Sequence, residues 1–204
     1  MTDDLERRLG DAAAATPPLD LDVLRDRVRR RAADEGLVDV AYGTYDSPLG
    51  PITVFVTPRG LVRLSYAGEP IGAQLQELAD VISPRVLGST RLTDAVRREL
   101  DEYFDGRRRR FDVPVDWRLL RGFRAEVLRA TARIPFGGVS SYREVAAAAG
   151  SPNAYRAAGN ALGSNPVPIV VPCHRVLHSG GGLGGYTGGL DRKQFLLRLE
   201  GVLS

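Results

Sequence analysis

The spacing of apolar residues changes once along this chain of 204 residues, and that change limits its architecture more than any other feature. Between Val38 and Tyr66 apolar side chains recur at every second position; beyond Trp117 they recur at every third or fourth. A period of two lays one face of a strand on a core, and a period near 3.6 does the same for a helix. Val38-Asp39-Val40-Ala41-Tyr42 and Ile52-Thr53-Val54-Phe55-Val56 therefore read as strands joined through Ser47-Pro48-Leu49-Gly50. Pro58-Arg59-Gly60 turns the chain into a third, Leu61–Tyr66, which gives an antiparallel meander. Helices are expected over about 71–82 and 91–105, the second ending at Gly106, with a further strand over Phe111–Val115. The fold class is α+β: a small N-terminal α/β domain with an antiparallel sheet over 38–116, then a helical domain over 117–204.

Within the helical part Phe123, Val127, Leu128 and Ile134 share one face, and Pro135-Phe136-Gly137-Gly138 closes that helix. Ser141 and Glu144 have capping-box spacing, each able to satisfy an orphan amide at a helix start. The helix they open ends at Gly150. Ser151-Pro152 is then expected to start the next one, with serine at the N-cap and proline at the first helical position. Two short helices about one tight turn have helix-turn-helix spacing, although plain helical hairpins look the same. Residues 1–36 form an extension of unassigned role. It is expected to be helical over about 5–15, and again from Asp20 with Leu21, Leu24 and Val28 on one face. It holds 7 arginines against 9 acids, which favours a solvated amphipathic helix over a polyanion grip.

Composition narrows the functional classes. One cysteine, Cys173, rules out an internal disulfide framework, and with only His174 and His178 beside it the usual Cys/His zinc sites cannot be assembled; no metal is expected. No apolar run approaches the roughly 18 residues of a membrane span, so no membrane partner is expected. The acidic start lacks a basic and then apolar leader, which predicts a cytoplasmic location. Charge is uneven: residues 1–110 carry 17 basic and 19 acidic side chains, residues 111–204 carry 11 and 6. A basic second half suits a polyanion, where each neutralised phosphate releases counterions, or a solvated basic surface. Lys193 is the only lysine among the 28 basic residues.

The reactive segment is Asn165-Pro166-Val167-Pro168-Ile169-Val170-Val171-Pro172-Cys173-His174-Arg175-Val176. A lone cysteine in an apolar run is ordinarily an inert core residue. Here Cys173 stands between a proline, which fixes its own φ, and a histidine able to accept a thiol proton, at the end of a short β-like run. Consecutive side chains on a strand point to opposite faces, so contact between Cys173 and His174 requires a turn or a bridging water. Gly180–Gly189 holds seven glycines in ten residues without the Gly-Lys-Ser/Thr ending of a phosphate loop. It reads either as plain flexibility or as backbone that must lie close to a flat group. His178 beside it reads as a solvated loop residue.

Pro172-Cys173-His174-Arg175-Val176 resembles the active-site signature of the O6-alkylguanine-DNA alkyltransferases, the methylated-DNA–protein-cysteine methyltransferases. The likeness runs upstream through Asn165-Pro166-Val167-Pro168 and downstream through Gly185-Tyr186-Thr187-Gly188-Gly189-Leu190, Lys193, Phe195-Leu196-Leu197 and Glu200-Gly201. It covers about 120–201 well and 38–116 more loosely, through Tyr45-Asp46-Ser47-Pro48-Leu49-Gly50; residues 1–36 have no counterpart. It implies a winged-helix-like DNA-binding domain and a monomer, with no cofactor, that acts on double-stranded DNA carrying O6-alkylguanine, mainly through the minor groove, and also on O4-alkylthymine. The alkylated base is flipped out and its alkyl group moves irreversibly to the cysteine, one group per protein.

By match, Cys173 is the nucleophile, His174 takes its proton through a water, and Glu200 orients and charge-balances that histidine. Tyr142 donates to guanine N3, and Asn165 braces the active-site turn. Arg156 fills the gap in the base stack, and Ala154 and Ala157 pack against the groove. Backbone groups of Cys173, Val176 and Thr187 read the base edge, beside Tyr186. Tyr155 is bulkier than the small residues common at its position. A non-catalytic sensor of alkylated DNA with the same fold is the alternative, and it would lack the nucleophile. An unrelated Cys-His hydrolase would turn over many times.

Overall fold

The computed structural model describes residues 20–204, and the helix expected over about 5–15 lies outside them. The chain divides into two compact units, Met1–Gly36 and Leu37–Ser204. In the first, helix α1 (Leu21–Asp34) starts where Asp20 was expected to start it. The Asp20 carboxylate accepts from the amides of Asp22 at 3.0 Å and Val23 at 3.2 Å. Arg25–Asp22, Arg29–Asp26 and Arg31–Glu35 pair along its exposed surface.

The second unit opens with the expected meander: β1 (Val40–Ser47), β2 (Gly50–Thr57) and β3 (Gly60–Tyr66), antiparallel in sequence order. Helix α2 (Ile71–Val81) then leads to a short strand β4 (Val86–Gly88), and helix α3 (Thr90–Phe104) follows. The sheet order is β3-β2-β1-β4, with β4 parallel to β1. Three residues carry too little periodicity to announce β4 in sequence. The strand expected over Phe111–Val115 is not formed. Pro114 has no amide hydrogen to give a ladder, and the segment makes one bridge to β3: Leu61 donates to the Pro114 carbonyl and Asp116 to the Leu61 carbonyl, both at 2.8 Å.

Helices α4 (Gly122–Thr131), α5 (Tyr142–Ala148), α6 (Tyr155–Gly163) and α7 (Leu190–Leu199) complete the unit. Helix α4 ends three residues short of the expected Ile134. The capping box forms, with Ser141 accepting from the Glu144 amide and Glu144 from the Ser141 amide. Ser151-Pro152, however, does not start α6. Gly150 takes the left-handed conformation (φ 82°), while Ser151 donates to the Ala146 carbonyl and Gly150 to that of Ala147. This pattern closes the helix before it, and the proline follows as a stop. Helix α6 starts at Tyr155 with Ala154 at its N-cap. A short ladder, β5 (Ser140–Ser141) parallel to β6 (Val176–Leu177), ties the head of α5 to the segment after Cys173.

The sheet is covered on both faces. Val40, Phe55 and Val62 pack with Leu78 of α2 in a small core. Ile52, Val54, Leu61 and Leu64 point the other way, into a larger core shared by Leu100 and Tyr103 of α3, Leu128 of α4 and Leu196 of α7. The N-terminal sheet and the C-terminal helices thus close over one continuous interior.

Gly60 is a demanding position in that interior. Its φ is 128°, and a Cβ placed there would lie 2.0 Å from the Pro114 carbonyl oxygen. Gly60→Ala should therefore lower unfolding free energy by about 2–3 kcal/mol, through strain and loss of the Pro114 bridge. Urea denaturation of the variant against the parent measures it.

Candidate active site

Asn165, Pro166, Pro168 and Pro172 shape the approach to the cysteine. Prolines cannot donate to a ladder, and the β-like run expected here is a series of tight turns: Val171 donates to Val167, Val170 to Pro168, and Cys173 to Val171. Ile169 sits at φ 73°, the one non-glycine residue at positive φ among those described. A β-branched residue resists that conformation, and full burial of its side chain in the core holds it there. Asn165 locks the turns: its side-chain oxygen accepts from the Val167 amide at 3.0 Å, while Nδ2 donates to the Val171 carbonyl at 2.8 Å and to Cys173 Sγ at 3.1 Å.

Cys173, His174 and Arg175 form one turn of 3₁₀ helix, so their side chains diverge. Cys173 lines a cleft of about 830 Å³; the imidazole is fully buried, with Nε2 2.9 Å from Glu200 Oε1. Among the described hydrogen bonds none joins Sγ to the imidazole. Burial raises the Glu200 carboxyl, but the bonds from His174 and Arg175 outweigh it and hold it at about 2. An ionised carboxylate requires a proton on Nε2, which leaves Nδ1 as the free acceptor of the ring. Nδ1 is buried and makes no hydrogen bond. Burial pushes His174 below its ordinary value despite Glu200. Burial also pushes the thiol up to about 11, against the Asn165 hydrogen bond and the charge of Lys193. At neutral pH the resting pair is a thiol and a neutral imidazole.

Glu200 is itself built in from several elements. Arg175 Nε donates to Oε2 and Arg175 Nη2 to Oε1, both at 2.8 Å, and the Gly137 amide reaches Oε2 at 3.4 Å. The Tyr103 hydroxyl donates to Oε1 at 2.7 Å. Tyr103 and Arg175 were not given roles from sequence. Arg175 lies within the motif, which was the available signal; nothing local marks Tyr103.

The glycine-rich loop forms the opposite wall of the cleft. Tyr142 heads α5 and lies beside Gly184, where a Cβ would come 2.4 Å from the phenol oxygen. Burial, moderated by a backbone hydrogen bond from Gly185, raises this phenol above its ordinary value, so it stays protonated. Tyr186 turns inward and shares a 2.8 Å hydrogen bond with Tyr66 of β3. Thr187 ties the loop to α6 by donating to the Gly163 carbonyl at 2.6 Å. Lys193, also unassigned from sequence, is fully buried beneath the loop. It donates to the Val176 carbonyl at 2.7 Å and to those of Leu183 and Gly185. One lone pair of Val176, expected to read a base edge, is therefore engaged. Arg156 and Tyr155 line the mouth of the cleft, with the guanidinium 5.9 Å from the ring centroid and Arg143 5.7 Å from the same ring. Ala157 is exposed on α6 and Ala154 half-buried at its head. His178 is exposed, as expected of a solvated loop residue, and its ring is 5.2 Å from that of Tyr142.

Two family models match the chain. Residues 40–117 match the 6-O-methylguanine DNA methyltransferase ribonuclease-like domain, and residues 122–202 match the DNA binding domain of the same family. A methylated-DNA–protein-cysteine methyltransferase of Mycolicibacterium paratuberculosis is 41% identical over 167 residues, covering 79% of this chain and 92% of that protein. The crystal structure of the Mycobacterium tuberculosis O6-methylguanine methyltransferase is similar at a TM-score of 0.68 and 36% identity, covering 81% of this chain and 94% of that one. The structure of M. tuberculosis OGT in complex with DNA gives a TM-score of 0.67 at 37% identity, covering 78% and 92%.

The Glu200 cluster sets an acid limit on stability. A carboxylate near 4.3 when unfolded and about 2 when folded contributes stability that is fully present above the unfolded value. That contribution, roughly 3 kcal/mol, is lost as pH falls from about 4 towards 2. Glu200→Gln should flatten this segment of the curve of unfolding free energy against pH, measured by urea titrations across that range.

Proposed function

Because the chain belongs to the 6-O-methylguanine DNA methyltransferase family, whose curated relatives are methylated-DNA–protein-cysteine methyltransferases, we propose that Cys173 is the acceptor and that each molecule accepts one alkyl group. The observation that carries this reading is the position of Cys173: on the wall of the cleft, hydrogen-bonded through Sγ to Asn165, one residue from a neutral buried imidazole backed by an ionised carboxylate. Double-stranded DNA is the substrate, and the O6-alkylated guanine is turned out of the stack into the cleft between Tyr142 and the glycine-rich loop.

The step is a displacement at the alkyl carbon. Sγ forms the new S–C bond as the C–O6 bond breaks, and the thiol proton passes through a water to His174 Nδ1. The unpartnered Nδ1 supports that route. The charge left on the departing guanine is met by the Tyr142 hydroxyl, and a proton returns to the base, so thiol and alkylated base become thioether and guanine. A thioether has no leaving group that water can displace, which makes the transfer irreversible. O4-alkylthymine presents the same alkyl–oxygen bond and is open to the same attack. Arg156 enters the base stack where the guanine leaves. The small side chains at Ala154 and Ala157 let α6 approach the minor groove, whose limited sequence code suits inspection of every site. The protein acts as a monomer.

Protein mixed with a duplex carrying labelled O6-methylguanine should retain about one methyl group per molecule, covalently and without turnover. Cys173→Ala should retain none while still binding the lesion duplex; label on that variant, or repeated release of small product, refutes the assignment. Arg156→Ala should slow single-turnover transfer from duplex about ten- to a hundredfold and leave reaction with free O6-benzylguanine nearly unchanged, because only the duplex must be unstacked. Equal losses on the two substrates would place Arg156 in the pocket instead.

A further inference from the structure

Tyr103 reaches the reactive turn from helix α3, 97 residues before Glu200 in sequence. Its ring packs against Phe104, Phe111 and Phe136, and a phenylalanine would keep those contacts. The hydroxyl has one acceptor, Glu200 Oε1, which also takes His174 Nε2 and Arg175 Nη2. A carboxylate oxygen offers about two lone-pair sites. Three donors therefore divide the charge of Oε1, and what Tyr103 draws is withdrawn from the imidazole.

We infer that Tyr103 is a positioning residue that lowers the basicity of His174 through Glu200, and so favours the protonated Cys173 thiol in the resting protein. The inference rests on Cys173 and His174 being the reacting thiol and its base. The other groups facing the pair are the Arg175 guanidinium, the Lys193 ammonium, whose pKa burial draws down to about 8, and the neutral Tyr186 phenol. Arg175 lies in the same turn and Lys193 on α7, while the Tyr186 ring stands 6.5 Å from the imidazole and is bonded to Tyr66 of β3. Both cations disfavour an imidazolium, in the same direction as Tyr103. Among the groups that touch Glu200, Tyr103 alone is uncharged, distant in sequence and removable without stranding a buried charge.

With the hydroxyl gone, Oε1 interacts more strongly with His174, whose pKa rises, and a thiolate–imidazolium pair becomes more populated at neutral pH. In Tyr103→Phe, alkylation of Cys173 by iodoacetamide at pH 7 should rise about three- to tenfold, and the rate–pH profile should move down by roughly half to one unit. In a Glu200→Gln background the same substitution should shift nothing. Site-specific 3-fluorotyrosine at position 103, a stronger donor with the same shape, should move the profile upward and covers the case in which Tyr103→Phe fails to fold. An unchanged profile, or a downward shift with fluorotyrosine, overturns the inference. Iodoacetamide needs no DNA, so this readout stands apart from transfer: absence of methyl transfer from an O6-methylguanine duplex in the parent protein would instead refute the proposed function.

Discussion

A single buried carboxylate organises the reactive half of this protein. Glu200 lies just past the end of α7 and accepts from the 3₁₀ turn of Cys173–Arg175, from the Gly137 amide before α5, and from Tyr103 of α3. Taking such a charge out of water is costly, and only a full set of donors offsets it. Once the set is complete, each donor is fixed relative to the others within hydrogen-bond tolerance. The orientation of the imidazole, and through it the direction in which Cys173 faces, follows from satisfying that one anion.

A second buried charge plays the matching part on the other side of the cleft. A lysine ammonium has three donors, and Lys193 directs its own at the Val176, Leu183 and Gly185 carbonyls. Burial draws its pKa down to about 8, while the nearby Cys173 raises it. The glycines let the backbone pass close to Tyr142, and Lys193 gives that pliable backbone a fixed inner edge. A wall held in this way keeps its place relative to Cys173, and a misplacement of about 1 Å is costly wherever groups must meet in a set geometry.

Much of this was legible in the residues, and what was not has physical reasons. The meander, α2, α3 and the capping box at Ser141 follow from local periodicity and end chemistry, which act over a few residues. Phe111–Val115 alternates like a strand, but Pro114 lacks the donor a ladder needs. Ser151-Pro152 fits both the start of one helix and the stop of another; Gly150 in front of it, free to take positive φ, decides for the stop. Cys173, His174 and Asn165 lie within ten residues and announce themselves together. Tyr103 and Lys193 act through single atoms that tertiary packing brings to Glu200 and to the loop carbonyls, and no spacing along the chain encodes that.

The interior shared by the sheet and the helices means that the seam between the two family matches, near Trp117 and Gly122, is not a seam in the energetics. Ile52 and Leu64 of the sheet pack in the same cluster as Cys173, and the Leu64 amide donates to the Pro166 carbonyl at 2.8 Å. A core shared in this way favours cooperative melting of Leu37–Ser204, with sheet and thiol geometry lost together. A packing change in β2 or β3 therefore reaches the cysteine through side-chain contacts in the shared core rather than along the chain.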